Sequence, residues 1–229
     1  MRRTSRSLLL GLLAATATPA VTYALPTVAY DNTVAAAIGS WTPDGFWPFS
    51  AFAAREWMGD EITLDGESRT IMQLSLRLSS TAPVRLDSVS LALYANDGID
   101  AYSSPGAPGT ELWRGAAANV AVSGPTTLVF DIPNVLVPKT FTWAVSADSD
   151  SAGLATFNPP QVGSSGDWFW DRDVRNGKWY RMSFKDQVWL PPDPVANFGA
   201  QVLAIPEPSV LMLLASILPL LRIRRSSRL

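Results

Sequence analysis

The chain has 229 residues, 47% hydrophobic and only 17% charged, with nine tryptophans and neither cysteine nor histidine, which excludes disulfides, thiolate or imidazole metal sites and any nucleophile activated by an imidazole. The formal net charge of −2 hides an uneven distribution: seven arginines sit at the two tips, while residues 25–205 hold eleven basic and nineteen acidic residues, a net of −8. An acidic body of this kind repels a phosphate backbone, so no nucleic-acid partner is expected.

In chain order, Arg2, Arg3 and Arg6 precede the apolar run Leu8-Leu9-Leu10-Gly11-Leu12-Leu13-Ala14-Ala15, which is followed by small residues and Pro19. This is the charged, apolar and small-residue succession of a secretory signal, and the apolar run is too short to span a bilayer, which takes about 20 residues. Small residues at the −3 and −1 positions place cleavage after Ala24, with Ala20 as the alternative, so residues 1–24 are expected to be a signal peptide.

Residues 25–204 are expected to form one domain. Leu74, Leu76 and Leu78 alternate with polar neighbours, as do Val89, Leu91 and Leu93, and period two is the strand period. Further runs rich in β-branched and aromatic residues cover 126–132, 140–146, 153–157, 178–184 and 195–205. Turn signals separate them at Asn96-Asp97-Gly98, Pro105-Gly106-Ala107-Pro108-Gly109, Asn158-Pro159-Pro160 and Pro191-Pro192-Asp193-Pro194. No stretch of this body carries a 3.6-residue apolar stripe, and no fixed-period repeat is present. The expected fold is all-β, an antiparallel β-sandwich of jelly-roll-like form with about eight to eleven short strands, flanked by the signal peptide and a C-terminal hydrophobic helix.

Residues 205–229 read Ile205-Pro206-Glu207-Pro208-Ser209, then twelve uncharged, mostly apolar residues from Val210 to Leu221, then Arg222-Ile223-Arg224-Arg225. Two prolines stop a strand and hold the backbone extended, and arginines behind an apolar helix set a positive-inside orientation. This tail resembles the PEP-CTERM sorting signal of Gram-negative bacteria that make exopolysaccharide. The resemblance implies export by the general secretory machinery with removal of the leader by signal peptidase, transient retention in the inner membrane, and processing by an exosortase that recognises Pro206, Glu207 and Pro208. The body is similar to an uncharacterised domain recurring in such exported proteins, through Tyr30-Asp31-Asn32, Gly59-Asp60-Glu61-Ile62, Tyr94-Ala95-Asn96-Asp97-Gly98, Gly106-Ala107-Pro108-Gly109-Thr110, Pro159-Pro160-Gln161-Val162-Gly163-Ser164 and Asp167-Trp168-Phe169-Trp170. That likeness implies a fold and a destination at the cell surface or in the extracellular matrix, and no activity.

Two aromatic stretches invite a ligand. Asp167-Trp168-Phe169-Trp170-Asp171-Arg172-Asp173 sets tryptophans beside carboxylates, as a sugar site needs: Trp168 and Trp170 for stacking, Asp167 and Asp171 for hydroxyl protons. As a strand the same residues put both tryptophans on one face and Phe169 on the other, with the tryptophans filling the core. Trp41, Phe46, Trp47, Phe49 and Trp57 form the second stretch. Calcium is left open without an assigned ligand, because Asp97, Asp100, Asp148 and Asp150 lack the spacing of an EF-hand loop. Glycosidase chemistry needs two carboxyls about 5 to 9.5 Å apart. Nothing in the sequence pairs Glu56, Glu61, Glu67 or Glu111, so neither an enzyme nor a cofactor is expected. The leading expectation is a structural or adhesive surface protein associated with exopolysaccharide, and the alternative is a carbohydrate-binding module that uses exposed tryptophans.

Overall fold

The computed structural model describes residues 25–34, 46–48, 57–157, 160–183 and 197–206, all within one compact unit, Ala24–Glu207. The expected signal peptide and the expected C-terminal helix, with Glu207 and Pro208, lie outside the described residues. The described chain is all-β with antiparallel pairing, as the alternating sequence pattern predicts. Its strands are β1 (Thr27–Asp31), β2 (Phe46–Pro48), β3 (Trp57–Thr63), β4 (Thr70–Ser79), β5 (Val84–Ala95), β6 (Gly98–Ile99), β7 (Pro105–Ala107), β8 (Glu111–Val122), β9 (Thr126–Leu136), β10 (Thr140–Ala147), β11 (Gly153–Phe157), β12 (Ser164–Arg172), β13 (Trp179–Ser183), β14 (Asn197–Phe198) and β15 (Ala200–Ile205). Eleven of them run five residues or longer.

One large sheet follows the order β1-β15-β4-β11-β14, with β2 added to β11 and β9 to β4; the other runs β13-β12-β3-β10-β5-β8. The period-two leucines face inward as expected: Leu74, Leu76 and Leu78 from the first sheet and Val89, Leu91 and Leu93 from the second are all fully buried. They belong to one apolar cluster with Phe141, Trp143, Phe169 and Phe198, so both sheets contribute to a single core. Its aromatic centre is edge-to-face, with Phe198 5.6 Å from Phe169 and 6.1 Å from Trp143 between ring centroids, the arrangement that ring quadrupoles favour.

Several strands lie outside the expected runs, and three show why. β8 is alanine-rich and of low strand propensity, yet it pairs along nearly all of β5, from Val84↔Val122 to Tyr94↔Glu111. β5 would otherwise leave a row of unpaired backbone groups, and satisfying these outweighs local propensity. β3 lies outside the strand runs recognised in the sequence and forms because β10 and β12 flank it on both sides. Pro105–Ala107, expected as a turn, makes the short β7 against β6.

The polar residue Asn32 locks the two ends of the first sheet together. It is fully buried, its Nδ2 donates to the Phe198 carbonyl at 2.8 Å and its Oδ1 accepts the Ala200 N–H at 2.7 Å. Replacing it with alanine strands a buried carbonyl and a buried N–H. Asn32→Ala is therefore expected to lower the unfolding free energy in urea by about 2–4 kcal/mol, and a wild-type urea midpoint would show that the clamp contributes nothing.

Candidate functional site

The outer face of the second sheet is where side chains of functional character converge. Register sets Gly59 on β3 opposite Ala144 on β10, and Ala144 opposite Ala92 on β5, so three small residues lie side by side across the middle of the sheet. On this flat floor a second apolar cluster is built from Tyr94, Trp170 and Trp179, with Trp57 packed against it. A sheet face that would ordinarily be wet is thereby covered by its own aromatic layer, and Thr142 and Ala144 beneath it are fully buried.

Three arginines cap this layer, each over a tryptophan: Arg114 lies 4.3 Å from the Trp57 ring centroid, Arg172 5.6 Å from that of Trp179, and Arg181 3.4 Å from that of Trp168. Arg114 also bonds Glu111 through Nε at 3.1 Å and the Tyr94 hydroxyl at 3.1 Å, while that hydroxyl donates to Glu111 Oε2 at 3.3 Å. The Arg114 hydrogen bonds hold the Glu111 carboxyl below the usual carboxylate range. Beside them Thr142 donates to Asn96 Oδ1 at 2.8 Å, and Asn96 donates to Glu61 Oε2 at 2.9 Å. Burial raises the Glu61 carboxyl against the opposing pull of Arg181.

At one end of this face the layer opens into a depression of about 340 Å³ lined by Trp57, Ser88, Ser90, Ser146, Ala147 and Asp148. Ser90 and Ser146 are cross-strand partners, and Ser88 is the next outward position along β5. The Asp148 carboxylate accepts the backbone N–H groups of Asp87 at 3.1 Å and Ser88 at 3.2 Å, which fixes it at the rim. An aromatic wall, three hydroxyls and one carboxylate can stack on a flat apolar face and exchange hydrogen bonds with hydroxyls. Among the described residues the depression is lined by one carboxyl, that of Asp148.

The tryptophan cluster singled out in the sequence lies on this outer face but does not line the depression, and the expectation that Trp170 and Asp171 contact a sugar there is corrected. Trp168 and Trp170 do share one face with Phe169 on the other, but it is Phe169 that enters the main core, and the tryptophans belong to the outer face. Trp170 is nonetheless only 2% exposed, so it presents no face to a sugar. Trp168 is half-buried under the Arg181 guanidinium. Asp171 pairs in register with the core residue Met58 and so lies on the opposite side of the sheet from both tryptophans. The side chain of Asp167 lies outside the described residues, as do those of Trp41, Phe46, Trp47 and Phe49.

Two of the aspartates weighed for calcium, Asp97 and Asp100, serve turns. Asp97 accepts the Thr110 N–H and hydroxyl, both at 2.7 Å, and Asp100 accepts the N–H groups of Tyr102 at 2.8 Å and Ser104 at 2.7 Å. Among the described residues no three Asp or Glu side chains converge as a ligand set.

Sequence reasoning missed Ser88, Ser90 and Ser146 as site residues. They occupy the outward positions between the apolar residues of β5 and β10, which a period-two reading assigns to solvent; only their pairing across strands brings them together beside Trp57 and Asp148. By fold the chain is an all-β protein of antiparallel sheets around one core. It matches no protein-family model, no curated protein and no solved structure.

Proposed function

We propose that this is an exported protein of a Gram-negative bacterium, sorted by an exosortase from the inner membrane to the cell surface or extracellular matrix, where its body is a structural or adhesive component associated with exopolysaccharide. The observation that carries this reading is the succession Pro206-Glu207-Pro208, apolar segment and arginine cluster, in a chain that also begins with a secretory signal. The fold is compatible with such processing. Pro206 directly follows Ile205, the last residue of β15, and β15 is bonded on both sides, to β1 and β4. A cut beyond that point would leave both ladders intact. Two antiparallel sheets around one core support a jelly-roll-like β-sandwich, and a packed core suits a surface protein that has no cysteine with which to form disulfides.

The test is mass spectrometry of the tagged chain expressed with and without an exosortase. Loss of the C-terminal segment only when the enzyme is present is the expected result, and Leu229 retained in both would overturn the proposal. A second reading, a carbohydrate-binding module, is favoured by the depression beside Trp57 and no longer by Trp168 and Trp170.

A further inference from the structure

We infer that the depression between β3, β5 and β10 binds one neutral hexopyranose unit of a polysaccharide, with Trp57 as the stacking platform and Ser88, Ser90, Ser146 and Asp148 as its hydroxyl partners. The inference deepens the carbohydrate-binding reading by naming the site and the class of sugar, and it stands or falls apart from exosortase sorting.

Size is the first argument. At about 340 Å³ the depression lies at the lower end of the range typical of small-molecule pockets, about 300–1,000 Å³, which suits a sugar ring. The aromatic wall is preorganised: Trp57 is half-buried, and Arg114, anchored by Glu111 and Tyr94, occupies part of its ring surface and holds it, so that Trp57, unlike Trp168 under Arg181, still lines the depression with the remainder. A platform already held in place loses little side-chain entropy on binding.

Polarity is the second argument. The hydroxyls of Ser88, Ser90 and Ser146 make no hydrogen bond among the described residues, and Ser146 is only 8% exposed. Each hydroxyl can donate one hydrogen bond and accept two, so the floor offers several to a ligand rich in hydroxyls and would be a poor bed for a wholly apolar one. Asp148 spends part of its acceptor capacity on two backbone N–H groups and keeps the rest for a sugar hydroxyl.

Charge selects among sugars. Among the described residues the one formally charged group lining the depression is a carboxylate, and residues 25–205 carry a net charge of −8. Arg114, the nearby cation, is already committed to Glu111. A uronic acid would meet like charge without a free partner, so a neutral ring is preferred.

The test uses the full-length chain, purified in a detergent without a sugar headgroup, and measures tryptophan fluorescence and titration calorimetry with cellotetraose, mannotetraose, a galactotetraose and, as the acidic arm, tetragalacturonate. Binding of at least one neutral tetrasaccharide in preference to tetragalacturonate is expected, weakened about tenfold or more by Trp57→Ala and severalfold by Ser90→Ala or Ser146→Ala. The two serine variants remove hydroxyls without protein partners and are expected to melt with the wild type, so they decide the matter even if Trp57→Ala fails to fold. No binding of any neutral tetrasaccharide, preference for tetragalacturonate, or unchanged affinity in the serine variants would overturn the inference. Binding retained in a chain that an exosortase leaves uncut would remove the sorting reading and leave the site standing.

Discussion

Gly59→Ala is expected to cost about 3 kcal/mol or more, a large share of the 5–15 kcal/mol that holds a typical domain folded. A Cβ at this position would lie 1.9 Å from the Trp143 carbonyl oxygen and 2.6 Å from the Ala144 Cα, both backbone atoms of the neighbouring strand β10. Neither can withdraw without opening the β3–β10 ladder, which is buried at the centre of the sheet. The same change displaces the floor on which Trp57 and Trp170 lie, so the clash reaches the outer aromatic layer as well. Gly66 supplies the control. Its φ is +59°, and a Cβ there would meet nothing within 4 Å, so Gly66→Ala should cost only about 1 kcal/mol of backbone strain. Urea denaturation of the two variants separates close approach from conformational preference, and equal losses would refute the steric account.

Asp60→Asn is expected to have the opposite sign, stabilising the protein at neutral pH. Asp60 pairs with Trp143 and Phe169 on the core side of β3 and is 1% exposed. Both carboxylate oxygens are buried without a hydrogen-bond partner of good geometry among the described residues. Burial, reinforced by the Glu61 charge, pushes this carboxyl well above the usual range, and the backbone N–H groups of Glu61 and Phe198 oppose the shift only in part. The folded state therefore binds a proton that the unfolded chain releases near its ordinary value of 3.8. Stability from this proton is fully present below that value and is lost as pH rises towards the folded-state value. Asparagine removes the titration. The variant should exceed wild type by roughly 1–3 kcal/mol at pH 7, and the gap should narrow as pH falls towards 4. A gap that is constant with pH, or a destabilised variant at pH 7, would show that Asp60 is ionised and satisfied in the fold. The neighbouring Tyr30 phenol, which burial and then Asp60 push upward and which donates to Ser165 at 3.2 Å, belongs to the same buried polar patch.

The legible part of the fold follows from periodicity. β4, β5, β9, β10, β11 and β13 overlap runs recognisable from alternation and β-branched content: where one face stays partly exposed, as on β9, period two is imposed residue by residue, while β10 and β11 are buried on both faces and are recognised by composition. The run 195–205 is legible as a strand but not as two. β14 and β15 are separate, and Gly199 between them sends its N–H to the Ala155 carbonyl. β8 and β3 are illegible for a different reason. The first has alanines where a strand wants bulk, the second a glycine and two carboxylates, and each forms because neighbouring strands need a hydrogen-bonding partner. The candidate site was legible only in its residue types. Tryptophans beside carboxylates suggest a sugar, and the sequence offers two aromatic stretches; the aromatic wall of the depression is Trp57, from the second, rather than Trp168 or Trp170 from the first.

What the amino-acid sequence determined alone is chemical and local: no thiol or imidazole chemistry, an acidic body between arginine-bearing tips, a Pro-Glu-Pro tripeptide ahead of an apolar run and arginines, and strands wherever apolar residues alternate. These depend on composition and on neighbours a few positions apart, which a linear reading contains. The tertiary structure decided which faces are wet. A tryptophan at an outward position is exposed or buried according to what lies on the strands beside it, and here Gly59, Ala144 and Ala92, far apart along the chain, form the floor that buries Trp170. Three serines that each read as solvated line one depression because antiparallel register set β5 and β10 side by side, and register is a property of paired strands rather than of any one of them.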